Sequence, residues 1–191
     1  MRHGEVANDG EKRYNGHIDI DITEKGFDQM RRLAGLLESK EINAVYSSDL
    51  IRSTRGAAII SDRLGISYTP LPELRERSLG AWEGLTAEEI EARFPQQYAA
   101  WRADLLNYRP PGGECLVDVG ARILPVFKRL VASHPEQETA MLLHGGVNRV
   151  ILADALGMEL LNIFRIEQSF GALNIIDFYD DGMAVVKLLN G

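Results

Sequence analysis

The chain has 191 residues, 45% hydrophobic and 26% charged, with 28 acidic against 21 basic residues and a formal net charge of −7. That balance is expected of one soluble domain spanning residues 1–191, and it argues against nucleic acid or an anionic membrane as the main partner. No apolar run approaches the roughly 20 residues that span a bilayer, no signal-peptide pattern opens the chain, and the lone cysteine, Cys115, cannot form an internal disulfide, so a cytoplasmic location is expected.

In chain order, Thr23 is placed to cap a helix to about Leu37, with Met30, Leu33, Leu36 and Leu37 on one face and Gly26 weakening the first turn. Asn43–Ser47 reads as a short buried strand, followed by a helix over Leu50–Leu64 that Ser48 or Asp49 can cap. A strand follows near Ile66–Thr69. Thr86-Ala87-Glu88-Glu89 matches a capping box and opens a short helix ended by Pro95, with another helix over Gln96–Leu106. Arg109–Glu114 is too rich in breakers to be other than loop. A helix over Leu116–Ser133, bent at Pro125, precedes the apolar run Thr139–Leu143, which reads as a buried parallel strand. Gly145-Gly146 is expected to turn the chain into a helix over Val147–Leu156 that Gly157 stops. Leu173–Tyr179 and Met183–Leu189 read as a terminal hairpin. Alternating strands and helices predict an α/β fold with a mostly parallel central sheet, in which ligands bind past the C-terminal strand ends.

Two histidines stand out. Arg2-His3-Gly4 places a cation beside an imidazole and a small residue after it, and His144-Gly145-Gly146 repeats the His-Gly pattern far along the chain. An imidazole nucleophile attacking phosphorus needs cations to hold the anionic substrate, so the pair points to phosphoryl transfer. The four histidines, His3, His17, His134 and His144, match no zinc signature, and no nucleotide-binding glycine loop is present, so neither metal nor cofactor is expected. Cys115 is expected to be an inert thiol.

These segments, together with Tyr14–His17, Tyr46–Arg52, Leu74–Gly84 and Gly113-Glu114, stand in the order found in the histidine phosphatase superfamily, which the chain resembles over nearly its whole length. The resemblance implies the phosphoglycerate-mutase-like fold, a three-layer α/β/α sandwich, and hydrolysis of a phosphomonoester through a phosphohistidine. His3 would be the nucleophile. Arg2 and Arg52 would grip the phosphoryl oxygens, since planar guanidinium forks match them. His144 and the backbone at Gly145 would complete the pocket, and Asn15 and Gly16 would add hydrogen bonds. Glu76 would be the general acid, with Glu73 and Glu83 as rivals; Glu83 suits a loop-orienting role better.

Arg13, Arg75 and Arg77 are candidates to meet the substrate's other end, with exposed ion pairs the stronger expectation, and Arg55 and Arg63 are expected on the solvated surface; Tyr14, Trp82, Trp101 and Tyr108 are candidates to stack on a nucleoside-like substrate, with two or more of them expected in packing. The tail Ile166–Phe178 resembles that of α-ribazole phosphatases, which makes α-ribazole 5′-phosphate a candidate among small phosphorylated metabolites. A phosphoglycerate mutase and a non-catalytic phosphate-binding module are the rival readings, and the short stretch Gly84–Leu143 disfavours the mutase. The partner expected is a small-molecule phosphate ester, with a homodimer compatible with the sequence. Fold logic also calls for an apolar strand of about five or six residues before Arg2, without which His3 is expected to be poorly anchored.

Overall fold

The computed structural model describes residues Met1–Gly191. Its layering follows from one strand, β3 (Glu138–Leu142), whose side chains alternate between two cores. Ala140 and Leu142 pack with Met30, Leu33, Ala57 and Ile60 of α1 (Glu24–Leu37) and α2 (Ile51–Leu64). Met141 and the following Leu143 pack with Val119, Ile123, Val147 and Ile151 of α5 (Leu116–Ala132) and α6 (Gly145–Ala155). A strand apolar on both faces is stable only when helices cover both, and the outcome is the expected α/β/α sandwich.

The central sheet has β1 (Ile42–Ser47) between β2 (Tyr68–Pro70) and β3, with both pairings parallel. Arg2 then bridges Leu143 in the same direction. The His3 N–H donates to the Leu143 carbonyl at 3.0 Å, and the His3 carbonyl accepts from the Gly171 N–H at 3.1 Å. His3 is therefore held from both sides, contrary to the expectation of poor anchoring. The antiparallel hairpin of β4 (Ile175–Phe178) and β5 (Ala184–Leu188) forms a separate two-stranded sheet. The capping box at Thr86 is present and opens α3 (Ala87–Arg93).

Several local expectations give way to tertiary contacts. Ser48 and Asp49 do not cap α2, whose N-cap Leu50 has no side-chain bond; Ser48 pairs with His144 and Asp49 with Arg75 instead. Leu36 is 47% exposed, and the buried stripe of α1 runs through Met30, Leu33, Ala34 and Leu37. Pro95 opens α4 (Pro95–Ala103), because a first-turn position needs no N–H, so the helix starts earlier and ends sooner than expected. Gly145 and Gly146 are the first residues of α6 with His144 as its N-cap, rather than a turn before it. Gly26 has a packing reason to sit in a helix: a Cβ there would stand 2.5 Å from the Glu5 carbonyl oxygen, and one on Gly4 would stand 2.5 Å from that of Gly26. The two glycines let the segment after His3 lie directly on α1.

Candidate active site

A cleft of about 750 Å³ opens just past the strand ends and is lined by Arg2, His3, Asn15, Gly16, Arg52, Glu76, Gly145 and Gly146. His144 lies behind this lining, fully buried, with its ring centroid 5.2 Å from that of His3. The parallel topology explains the convergence, since each strand delivers the residue that follows it to the same edge of the sheet. Of the eight site residues expected, seven line the cleft and His144 adjoins it.

His3 is 5% exposed, and its Nδ1 lies 2.8 Å from the Gly4 carbonyl oxygen. A carbonyl can only accept, so Nδ1 carries the ring proton and Nε2 keeps its lone pair. Burial, reinforced by the Arg52 and Arg2 charges, pushes the His3 pKa well below the ordinary imidazole value, so the ring is neutral at neutral pH. His144 is shifted in the same direction by burial and then by Arg52, His3 and Arg2.

Arg52 is 2% exposed, with Nη1 donating to the Ile18 carbonyl at 2.7 Å and Nη2 to the Gly16 carbonyl at 2.6 Å. Arg2 donates to the Gln168 carbonyl, and its Cζ stands 3.7 Å from the centroid of the Phe170 ring. Both guanidiniums are thus fixed by neutral acceptors, which hold their direction without cancelling their charge. Burial lowers both pKa values, that of Arg2 to about 10, and both stay charged at neutral pH. Asn15 and Asn8 exchange amide hydrogen bonds of 3.0 and 2.7 Å, so the Asn15 side chain is already largely satisfied.

The two glutamates separate cleanly. Glu83 accepts with one oxygen from the His17 N–H at 3.0 Å, the Leu79 N–H at 3.0 Å and the Ser78 hydroxyl at 3.2 Å, binding two loops together outside the cleft lining. Glu76 faces the cleft and accepts from the N–H groups of Gly146 and Arg77, each at 2.8 Å. A Cβ on Gly146 would stand 2.4 Å from Glu76 Oε1, so only glycine lets the carboxylate sit against the start of α6. The Glu76 main chain is held as well. The Arg122 guanidinium donates to the carbonyls of Glu73, Arg75 and Glu76 at 2.7, 2.9 and 3.2 Å while pairing with Glu114 at 2.7 Å, and His17 Nε2 donates to the Glu76 carbonyl at 2.8 Å.

Arg13 and Arg75 are ion-paired as expected, with Glu89 and Asp49, and the exposed Arg55 and Arg63 pair with Asp21 and Glu38. Arg77 is not in an exposed pair. It is 8% exposed and donates to the Glu114 carbonyl at 2.7 Å, because the Pro/Gly loop folds back over it. Trp82 and Tyr108 stack in packing, whereas Tyr14 and Trp101 reach the cleft mouth. Cys115 is buried. Arg122 and Gln168 carry no local signal in the sequence, because their partners, the Arg75 carbonyl and the Asn148 amide, lie 47 and 20 residues away.

Comparison with known proteins agrees with this geometry. Over 170 residues, 85% of this chain and 76% of the relative, the chain is 34% identical to the glucosyl-3-phosphoglycerate phosphatase of Mycobacterium tuberculosis. It is 31% identical to the adenosylcobalamin/alpha-ribazole phosphatase of Salmonella typhimurium over 192 residues, covering 100% of this chain and 94% of the relative. Among solved structures, the alpha-ribazole phosphatase of Shigella flexneri superposes with a TM-score of 0.93 at 25% identity, covering 100% of this chain and 94% of the other. The histidine phosphatase superfamily (branch 1) matches residues 1–191. With its buried histidine pair, paired arginines and cleft-facing glutamate at the strand ends, the chain belongs to the histidine phosphatase superfamily and is a phosphatase, a phosphoric monoester hydrolase.

Proposed function

We propose that residues 1–191 act as one catalytic domain that hydrolyses a small phosphorylated metabolite through a phosphohistidine on His3. The observation that carries this reading is the hydrogen bond from His3 Nδ1 to the Gly4 carbonyl, which leaves Nε2 as a neutral lone pair on a ring that lines the cleft together with Arg2 and Arg52. Nε2 attacks phosphorus and the bond to the leaving oxygen breaks, while Glu76 delivers a proton to that oxygen. Water then attacks the phosphohistidine, Glu76 takes its proton, and the N–P bond breaks to release phosphate. The negative charge on the three equatorial oxygens meets the two arginines and the Gly145 N–H at the start of α6, since the Gly146 N–H is already held by Glu76.

His144 takes the role of a neutral donor. Ser48 Oγ accepts from the Leu50 N–H at 3.4 Å and lies 2.6 Å from His144 Nε2. With Ser48 donating to Nε2, the ring proton sits on Nδ1, which is buried without a protein partner beside His3 and is the donor assigned here to a phosphoryl oxygen. Glu83 holds the loops and Glu76 is the acid.

The full-length match to the Salmonella relative makes α-ribazole 5′-phosphate the first substrate to assay. Glucosylated phosphoglycerate is the second substrate to assay, on the similarity to glucosyl-3-phosphoglycerate phosphatases. The test is to incubate the protein with a labelled phosphomonoester, quench in alkali and look for acid-labile phosphate on the protein. The label should appear in the parent and be lost in His3→Ala. Rapid isomerisation of phosphoglycerate with little phosphate release would point to a mutase instead, and no label or turnover across a substrate panel to a binding module.

A further inference from the structure

We infer that Gln168 is a positioning residue for the phosphate grip: its buried side-chain amide, locked to Asn148 of α6 and to Asn174, sets the backbone carbonyl on which the Arg2 guanidinium rests. The inference rests on the reading above that Arg2 holds phosphoryl oxygens, and it names what aims Arg2. From Gln168 to Ala172 the chain wraps Arg2 and His3 along one side. The Gln168 carbonyl accepts from Arg2 Nη1, and the Phe170 ring lies under the guanidinium, 3.7 Å from Cζ. The Gly171 N–H donates to the His3 carbonyl at 3.1 Å, and the Ala172 carbonyl accepts from the Arg2 N–H at 3.0 Å. This stretch belongs to no helix or strand, so no regular ladder fixes its place and its own side chains must.

Gln168 is fully buried, and every hydrogen-bonding position of its amide is used. Oε1 accepts from Asn148 Nδ2 at 3.0 Å and from Asn174 Nδ2 at 2.8 Å, while Nε2 donates to the Glu167 carbonyl at 2.8 Å and to Asn174 Oδ1 at 2.9 Å. A flipped amide would set N–H against N–H and oxygen against oxygen, so one orientation survives. Asn174 Oδ1 also accepts from the Asn190 N–H at 2.9 Å, and Asn190 Oδ1 from the Ser169 N–H at 2.6 Å. Removing one member of such a network leaves the others buried and unpaired, so the arrangement holds or loosens as a unit. Its other end is α6, whose Gly146 N–H holds the Glu76 carboxylate. The Asn148–Gln168 bond thereby fixes Arg2 relative to the helix that carries the acid.

The test is calorimetric titration of inorganic phosphate into the full chain, into Gln168→Met, into Arg2→Gln and into the double variant. Methionine keeps the length of glutamine and lacks its amide. Gln168→Met should weaken phosphate binding about tenfold, and in the Arg2→Gln background the same change should cost less than about twofold, because the residue it acts through is gone. A merely structural role would repeat the loss in both backgrounds. Equal losses in the two backgrounds, or phosphate binding left unchanged by Gln168→Met or by Arg2→Gln, overturns the inference. If Gln168→Met does not fold, Asn190→Ala at the half-buried far end of the network decides. It should weaken phosphate about threefold with Arg2 present and not at all without it; no loss, or a loss in both backgrounds, counts against the network. Binding of phosphate needs no turnover, and phosphate release by the unsubstituted protein judges the hydrolase reading, so the two can fail independently.

Discussion

At the inner end of the cleft, His3, Arg52 and His144 are each at most 5% exposed, and each is tied to backbone or to a buried hydroxyl. At the mouth, Phe164 is 53% exposed, and Tyr14 and Trp101 meet edge-on across 6.5 Å. The inner groups have one geometry available to them, which suits a reaction whose charge develops at fixed positions. The outer ones are held by packing instead, Trp101 lying against Tyr14, Trp82 and Tyr98, with only Phe164 largely exposed. In the proposed reaction the chemistry belongs to the hydrogen-bonded inner groups and the contact with the leaving group to the outer aromatic ones.

The sharpest way to break this contrast is His3→Ala, which should lower phosphate release by about 10⁴-fold or more, because the covalent route is lost outright. Steady-state assay with any accepted ester checks it, and residual activity near the parent level would remove His3 from the mechanism. Next comes Glu76→Gln, expected to cost about 10²–10⁴-fold with alkyl phosphates. The loss should shrink with an activated aryl phosphate, whose leaving oxygen needs no proton; an equal loss on both would argue for a binding role instead.

Arg122→Gln tests whether rigidity behind the acid matters. Freed carbonyls at Glu73, Arg75 and Glu76 should let the carboxylate drift, lowering kcat by about ten- to a hundredfold with poor leaving groups and less with good ones. A uniform loss across leaving groups, tracking thermal stability, would reduce Arg122 to a structural prop.

The depressed pKa of His3 predicts a flat acid limb. An imidazole of ordinary pKa would lose about tenfold of its neutral form by pH 5.5, whereas kcat/KM here should stay within about threefold from pH 7, after correction for the substrate's own ionisation. The sign for stability is the opposite. His3 and His144 bind protons more readily in the unfolded chain, so their contribution is fully present above about pH 6.5 and declines as pH falls below it. Denaturant midpoints across that window check the direction. The smallest effect belongs to the mouth: Trp101→Ala should shift KM by about threefold, in a direction that varies with the leaving group. A loss comparable to that of Glu76→Gln would erase the distinction between the two ends.

Much of the molecule was legible in the chain. The run Thr139–Leu143 announced a strand buried on both faces, and Thr23 and Thr86 marked helix starts that the structure keeps. The order of the motifs named His3, Arg52 and His144, the three groups at the inner end of the cleft. What escaped had no local signature. Ser48 looked like a cap and instead orients His144, 96 residues away. Arg77 looked exposed until the loop around Gly113 closed over it. Arg122 was one arginine among many until backbone carbonyls fixed where it points.

The sequence by itself determined the alternation of strands and helices and the parallel sheet, because hydrophobic period is a property of short segments, and the order of its motifs, through the resemblance they carry, named the candidate site residues. Only the tertiary structure decided which imidazole nitrogen of His3 is free, which glutamate lines the cleft and which arginines are held by neutral carbonyls. Those depend on single hydrogen bonds between segments distant along the chain, where a carbonyl or carboxylate a few ångströms away selects one tautomer, one rotamer or one partner from several that the residue type allows.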